Sequence, residues 1–203
     1  MDHSFKNIDE EKRIRIINNA FKEFASQGYR RSSLNTILKE SEVSKGFFYH
    51  YFKNKELFYN FLLEYAILII VEKLNTEKLI EQSDFIKRLQ DGALHKIQIA
   101  KTYPKLFEFL ANYYLSITPE EYLKFAEKIS GDTAQRMLTE NIDYSLFKDD
   151  VPIDVSMKVV HKFIGQVSYE LQSKVNIWSY QKIAEYYSNE LEDLKKVVYK
   201  KGV

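Results

Sequence analysis

The sequence predicts an all-α protein, and three observations lead to that fold class. Apolar residues recur at spacings of three and four along most of the 203 residues, as they do in amphipathic helices. Only six glycines and three prolines interrupt the chain, which leaves few sites for the turns between strands. No stretch alternates apolar and polar residues as a half-buried strand does. We therefore expect about nine helices and no sheet.

Four helices are predicted in the first part of the chain. Gly28 is placed to end the first of them, because glycine tolerates the backbone conformation that stops a helix. Ser33, Ser44 and Asn54 are good N-caps for the next three, and residues 41–43 form the turn between the two short ones. The four helices are expected over residues 9–27, 33–40, 45–51 and 54–74.

Five more helices are predicted after a polar connection at residues 75–83. Gly131 lies inside the third of these patterns and is expected to bend or loosen it. Residues 148–152 are predicted to be a loop, and the basic segment 195–202 is interpreted as the frayed end of the last helix. The five helices are expected over residues 84–101, 104–116, 119–147, 154–175 and 180–200.

Composition excludes several functional classes. The chain has no cysteine, so disulfides, thiolate zinc sites and thiol-based redox sensing are ruled out. No Gly-rich phosphate loop, nucleophile elbow or His-Glu-x-x-His pattern occurs, and the four histidines are scattered, so we expect no enzyme, no cofactor and no metal. The most apolar run, residues 65–71, is far shorter than the ~20 residues that cross a bilayer. We expect a cytoplasmic protein with no membrane segment.

The charge distribution is uneven although the net charge is only +1. Residues 1–55 carry eleven Lys and Arg against seven Asp and Glu, whereas the remainder carries nineteen against twenty-two. Ordinary scatter explains this asymmetry as readily as a nucleic-acid site does. The excess of positive charge nevertheless falls on the segment that holds the two short helices and the turn.

The second short helix has one face that must be buried. Phe48 and Phe52 are four residues apart and therefore share that face, which leaves Gly46 and His50 on the opposite side. The flanks carry Phe47 and Tyr49, and exposed aromatic residues are uncommon without a partner. A plain solvated surface remains an alternative, but helix, turn and helix in this order favour a helix-turn-helix that reads DNA.

Residues 12–62 resemble the N-terminal domain of the TetR (tetracycline repressor) family of transcription regulators. The similarity rests on AlaPheLysGluPheAlaSerGlnGlyTyr at 20–29, SerLeuAsnThrIle at 33–37 and ValSerLysGlyPhePheTyrHisTyrPheLysAsnLysGluLeuPhe at 43–58. It covers about a quarter of the chain. The resemblance implies that Ser33 contacts a DNA phosphate. It implies that the residues facing the major groove are Lys45, Gly46 and Phe47. It implies that the residues gripping the DNA backbone are Tyr49, His50, Tyr51 and Lys55.

The chain departs from the family pattern in and near the turn. Ser41 and Glu42 stand where AlaGly is usual, so Glu42 is expected to adopt the turn conformation at some energetic cost. Leu38 stands where a small Ala is usual. Phe47 replaces a small or polar residue, which suggests apolar contact with thymine methyl groups and a target sequence of its own.

A homodimer is expected, because so short a reading helix binds weakly alone and such readers usually work as twofold dimers on palindromic sites. The last two helices carry wide apolar stripes that suit a four-helix bundle between two chains, although the same stripes could serve only the internal core. The residues predicted to form the dimer interface are Val160, Phe163, Ile164, Val167, Leu171, Ala184, Tyr187 and Leu191.

The middle of the chain is rich in aromatic residues, many of them tyrosines whose hydroxyls need partners when buried. Such stripes are more often core than pocket, but regulators of the resembled family commonly bind a small effector between the middle helices. The residues predicted to line a pocket for a small hydrophobic or amphipathic ligand are Phe107, Leu110, Tyr113, Tyr114, Tyr144 and Gln166.

These observations predict a two-part regulator of transcription. Residues 1–55 are expected to form the DNA-binding domain, with the helix at 54–74 as connector, and residues 56–203 the effector-binding and dimerisation domain. The expected function is repression from a palindromic double-stranded DNA operator, with release by a small ligand. The alternative is a DNA-binding protein of the same fold that a protein partner controls, or that organises DNA without a small effector.

Overall fold

The computed structural model describes residues 5–172, 174 and 177–202, and in that part of the chain the fold is all-α. A 3-10 turn at Phe5–Asn7 precedes the helices, and another lies at Tyr144–Leu146. The described residues form eleven α-helices, which are α1 Glu10–Arg31, α2 Leu34–Glu40, α3 Lys45–Tyr51, α4 Lys55–Leu74, α5 Thr76–Glu81, α6 Phe85–Thr102, α7 Leu106–Ser116, α8 Pro119–Ser130, α9 Thr133–Thr139, α10 Ile153–Gln172 and α11 Tyr180–Val198.

The all-α fold is confirmed, and the described residues contain two more helices than the nine or so expected, for two local reasons. Asn75 adopts a left-handed conformation with φ 51°, which separates α4 from a short α5 inside the predicted connection. Gly131 has φ 63° and ends α8, so the pattern predicted as one helix over 119–147 is two helices and a 3-10 turn. Both positions allow a chain reversal that apolar periodicity does not register.

The chain divides into two compact units. The first contains the described residues up to Glu72 together with Ile99–Asp132, and the second contains Lys73–Gln98 and the described residues from Thr133 onward. These two units are defined by how the backbone packs. The division at residue 55 into a DNA-binding domain and an effector-binding domain concerns function and stays a prediction.

The first unit has an aromatic core that supports α3. Phe58 of α4 is fully buried and meets Phe48 and Phe52 with ring centroids 5.3 and 4.7 Å apart. Phe5 is also buried and packs edge-on against Phe52 and Phe61 at 5.1 and 5.4 Å. The 3-10 turn near the start of the chain therefore covers the junction of α3 and α4.

The second unit is organised around a buried cation, Arg88 of α6, which is 0% exposed. Its guanidinium donates to the carbonyl oxygens of Ile80 and Gln82, at the end of α5, over 3.0 and 2.8 Å. It also donates to three carbonyl oxygens at the end of α9, those of Met137, Glu140 and Asn141, over 2.8–3.1 Å. All five N–H groups of the side chain are thus used, and they join α5, α6 and α9.

The segment 195–202 does not fray as expected. Tyr199 is 1% exposed, its hydroxyl donates to Asp84 over 3.0 Å, and the amide of Ile86 donates to the same hydroxyl over 3.2 Å. The backbone of Tyr199 itself forms an antiparallel bridge with Phe147, the residue before the predicted loop. Trp178 lies in the turn before α11, and the ammonium of Lys182, in the first turn of that helix, lies 4.7 Å from the centre of its ring.

Candidate nucleic-acid interface

The turn between α2 and α3 is a helix C-cap of the Schellman type. The amide of Val43 donates to Leu38 O over 3.0 Å, and the amide of Glu42 donates to Lys39 O over 3.1 Å. Glu42 has φ 56°, as the sequence analysis expected, in a position that glycine occupies most easily. Arg15 of α1 donates to the carbonyl of Ser41 over 3.0 Å and so ties the turn to the first helix.

The predicted caps of the short helices are confirmed. The hydroxyl of Ser44 accepts from the amide of Phe47 over 3.0 Å, and that of Ser33 accepts from the amide of Thr36 over 3.2 Å. Ser33 also donates its own amide to the carboxylate of Glu23 over 2.8 Å. The starts of α2 and α3 are therefore both fixed by local hydrogen bonds, which helps to define the orientation of α3 within the first unit.

The two faces of α3 agree with the helical wheel. Phe48 and Phe52 are only 3% and 5% exposed, whereas Tyr49 is 55% exposed. The side of α3 away from the core therefore presents an exposed edge, whose members are Lys45, Gly46, Tyr49 and His50. A cation, an open backbone and two polar rings can together meet phosphates and base edges.

Phe47 and Tyr51 are less free than the sequence suggested. Both are half-buried, with ring centroids 5.1 Å apart, and Tyr51 also packs against Phe5 at 5.4 Å. The ammonium of Lys12 from α1 lies 3.9 Å from the centre of the Phe47 ring. Sequence reasoning missed Lys12, because only the packing of α1 against α3 shows that it adds a cation beside the exposed edge.

Lys55 has internal partners. Its ammonium donates to Tyr29 O over 2.8 Å and to Ser32 O over 3.1 Å, and Arg30 O lies 3.5 Å away. The same ammonium lies 4.8 Å from the centre of the Tyr29 ring. The structure thus places this predicted backbone-gripping residue at the corner between α1 and α2.

Comparison with known proteins agrees with this arrangement. Residues 16–60 match the model of the tetR family of bacterial regulatory proteins. This part of the chain, from α1 to the start of α4, is therefore similar to the tetR family. The chain is 29% identical over 144 residues to the HTH-type transcriptional regulator YuxN of Bacillus subtilis, a match that covers 60% of this chain and 50% of that protein. The chain therefore matches about half the length of this curated relative.

Solved structures show the same fold over nearly the whole chain. The ketosteroid transcriptional regulator KstR2 of Mycobacterium tuberculosis superposes with a TM-score of 0.65 at 14% identity, covering 96% of this chain and 98% of that one. The fatty acid degradation regulator FadR of Bacillus halodurans gives 0.62 at 18% identity, with 87% and 96% covered. SmeT of Stenotrophomonas maltophilia, the repressor of the multidrug efflux pump SmeDEF, gives 0.60 at 16%, with 98% and 94% covered.

The residues predicted to line a ligand pocket do not all belong to one unit. Leu110 is buried in the core of the first unit, where Phe107 is half-buried and Tyr114 is exposed. Tyr144 and Gln166, both exposed, belong to the second unit. Tyr113 packs against Phe125 at 5.2 Å within the first unit, and burial raises the pKa of its hydroxyl.

The second unit has a groove between α6 and α11, with a volume of about 170 Å³. Leu94, Ile97 and Ala184 provide apolar walls, and Gln90, Asp91 and Tyr187 bring polar atoms. Burial raises the pKa of Tyr187 to about 12. Tyr187 and Ala184 were predicted for a dimer interface, and the structure places both on this groove.

Three more of the predicted interface residues lie inside the protomer. Val160, Val167 and Leu191 are 0%, 2% and 1% exposed, because α10 and α11 pack their apolar stripes into the core of the second unit. Phe163 and Ile164 pack against that core, and Leu171 is half-buried. The internal-core alternative thus accounts for most of the stripe.

Two properties of the described residues concern metal binding and membrane insertion. No group of three or more His, Asp or Glu side chains in that part of the chain is arranged to hold a metal ion. Among the helices that the structure describes, none combines the length and the apolar character that crossing a membrane requires.

Proposed function

We propose that this chain is a sequence-specific transcriptional regulator that binds double-stranded DNA through α2, the turn and α3. One observation carries the proposal. The first unit fixes α3 by its buried face and caps, and leaves the edge formed by Lys45, Gly46, Tyr49 and His50 exposed. A helix presented in this way fits the major groove, whose base edges distinguish all four base pairs.

Electrostatics supports the same surface. Lys45 lies in the first turn of α3, Lys53 is exposed just after it, and Lys12 adds a third cation above Phe47. Lysines placed beside a reading helix bind phosphates and release condensed counterions, which makes affinity depend on salt. The carboxylate of Glu23, at the start of α2, accepts a hydrogen bond from the amide of Ser33.

The regulator is proposed to act as a homodimer on a palindromic operator, since two copies of α3 can then enter half-sites about one helical turn apart. Support for a partner surface comes from the outward side of α10. Val155 and Val159 stand one turn apart on the same helix face and are 42% and 39% exposed. These two valines extend the apolar character of α10 beyond the part that the core buries.

Control by a small hydrophobic or amphipathic ligand, with repression in its absence, completes the proposal. The similar structures include a ketosteroid regulator, a fatty acid degradation regulator and the repressor of a multidrug efflux pump. Helix α4 supports α3 through Phe58 and continues into residues of the second unit, so it is the element that would transmit the change. A coupling of about 3 kcal/mol would lower operator affinity roughly 150-fold. A chain with this role works in the cytoplasm, where bacterial DNA lies.

The alternative is control by a protein partner, or DNA organisation without a small effector. The modest volume of the groove between α6 and α11 favours this alternative. Melting curves with a panel of steroids, fatty acids and cationic drugs would separate the two. A compound that raises the melting temperature and releases DNA supports ligand control, whereas no response to any of them supports the alternative.

DNA binding itself is tested by footprinting on the region upstream of the protein's own gene at several salt concentrations. We expect a protected palindrome, and a Lys45→Met variant that binds more weakly with a salt slope reduced by about one. The matched control is Lys87→Met on α6, whose side chain is exposed in the second unit. Equal binding by Lys45→Met and wild type would contradict the placement of α3 on DNA.

A further inference from the structure

The geometry around Lys55 assigns this residue a task that the family resemblance does not. Its ammonium is the first cation of α4, and it lies against the backbone between Tyr29 and Ser32. The Lys55 side chain is half-buried, in contrast with Lys45 and Lys53, which are exposed. The three lysines come from one short segment, so their different surroundings separate a structural cation from two surface ones.

The backbone at this corner needs a cation because Gly28 interrupts α1. Gly28 has φ 68° and ψ 167°, so the helical hydrogen-bond ladder stops there and resumes only as one turn. The amide of Ser32 donates to Gly28 O over 3.1 Å, but the carbonyls of Tyr29, Arg30 and Ser32 point toward Lys55. Carbonyls at a helix end that lack an intrahelical amide donor carry partial negative charge, which an ammonium stabilises. The carbonyl of Tyr29 also accepts from the hydroxyl of Ser32 over 2.8 Å.

A lysine ammonium has three N–H donors, and here three carbonyl oxygens lie within 2.8–3.5 Å of it. The ring of Tyr29 covers another side at 4.8 Å. Binding a phosphate oxygen would require the ammonium to give up at least one of these contacts.

The same contacts fix the start of α2. Ser32 is followed directly by Ser33, the N-cap of α2, whose amide is held by Glu23. Lys55 therefore joins the first residue of α4 to the residue before the N-cap of α2. A large rotation of this segment and α2 against α4 would cost these hydrogen bonds.

We propose that Lys55 is a positioning residue, which locks the corner between α1 and α2 onto α4 and so sets the angle of α3, and that it does not bind a DNA phosphate. The part of this inference that concerns DNA binding rests on the proposed function. The structural part, that Lys55 is held by backbone carbonyls, does not depend on it.

The structural half is tested by lysine acetylation of the full chain with a dilute N-hydroxysuccinimide ester, followed by mass spectrometry. We expect Lys55 to react about tenfold more slowly than Lys45 and Lys53, because its amine is half-buried and held by carbonyl oxygens, so the reagent reaches it less readily. Equal rates for the three lysines would overturn the proposal. This result does not depend on whether the chain binds DNA.

The DNA half compares Lys55→Met, Lys55→Arg and Lys45→Met on the footprinted operator. We expect Lys55→Met to weaken binding by about three- to tenfold with an unchanged salt slope, since it loses orientation and no phosphate contact. Lys55→Arg should recover most of this loss. Lys45→Met should instead reduce the slope by about one.

A slope reduced by about one in Lys55→Met would show a phosphate contact and overturn the assignment. Unchanged affinity and unchanged slope would overturn it too, because the corner would then not position α3. If wild-type protein binds no DNA, the proposed function fails, and the acetylation rates still decide whether Lys55 is engaged. They also decide the matter if Lys55→Met does not fold.

Discussion

Each unit of this molecule has a cation that binds backbone carbonyls at helix ends, but the surroundings differ. Lys55 in the first unit is half-buried and meets three carbonyl oxygens, two of them within 3.1 Å. Arg88 in the second unit is 0% exposed and donates to five carbonyl oxygens from the ends of two helices. Water can replace the first cation in part, whereas it cannot reach the second.

This difference indicates how each corner can behave. Burial lowers the pKa of Arg88, although the guanidinium stays charged near neutral pH. A buried cation with only carbonyl partners depends on all of them at once, so α5, α6 and α9 should form and unfold together. The contacts of Lys55 can open with a smaller penalty, which is compatible with the positioning role that we propose for this residue.

The largest expected effect is that of Arg88→Met, which keeps much of the side-chain volume but removes one donor from each of five carbonyls. We expect the free energy of unfolding to fall by about 3–5 kcal/mol, because a buried acceptor left without a donor costs about 1–3 kcal/mol. Urea denaturation followed by circular dichroism measures the loss. The matched control is Arg136→Met on α9, whose guanidinium pairs with Glu77 and Glu140 near the surface and should lose less. Similar losses for both arginines would break the comparison.

Lys55→Met should have a smaller effect on stability, about 1 kcal/mol, because solvent can reach the freed carbonyls. Thermal unfolding of the same set of variants gives the ratio of the two losses of stability. A loss as large as that of Arg88→Met would mean that water reaches the carbonyls around Lys55 as little as it reaches those around Arg88.

The buried hydroxyl of Tyr199 makes the stability of the second unit depend on pH. Burial raises its pKa above the ordinary value of 10.0, so the unfolded chain ionises first when the pH rises. Its stabilising contribution is therefore complete below pH 10 and is lost as the pH rises through the folded-state pKa. We expect Tyr199→Phe to cost about 1 kcal/mol at pH 8 and less at pH 11. A constant difference across this range would contradict the burial argument.

The smallest effect is expected in the first unit, at Glu42. Glu42→Gly removes a left-handed strain and should raise the free energy of unfolding by about 0.4–1 kcal/mol. The lost contact to Arg15, at 3.8 Å between exposed side chains, subtracts little. Glu42→Ala serves as control, because it removes the same carboxylate and keeps the strain. An equal gain in both variants would assign the effect to charge.

Much of the first unit could be predicted from sequence because its signals are local. The caps at Ser33 and Ser44, the strained turn at Glu42 and the burial of Phe48 and Phe52 all follow from a few neighbouring residues. The internal role of Lys55 could not be predicted, since its carbonyl partners lie 23–26 positions away along the chain.

The second unit was harder to predict because periodicity shows that a face is apolar and not what covers it. The stripes of α10 and α11 fit a dimer bundle and an internal core equally well, and the structure buries Val160 and Leu191 inside the protomer. Arg88 resembles a surface charge in the sequence, because its carbonyl partners belong to the backbone and have no sequence signature. The break at Gly131 was noted only as a bend, since apolar spacing continues on both sides.

The position of Trp178 makes it an optical reporter of the turn between α10 and α11. It is the single tryptophan of the chain, it belongs to the second unit, and the ammonium of Lys182 beside its ring makes the local electric field sensitive to small displacements. Its emission spectrum therefore follows one place far along the sequence from α3. A wavelength shift that follows occupancy of DNA would be a direct, label-free signature of communication between the two units.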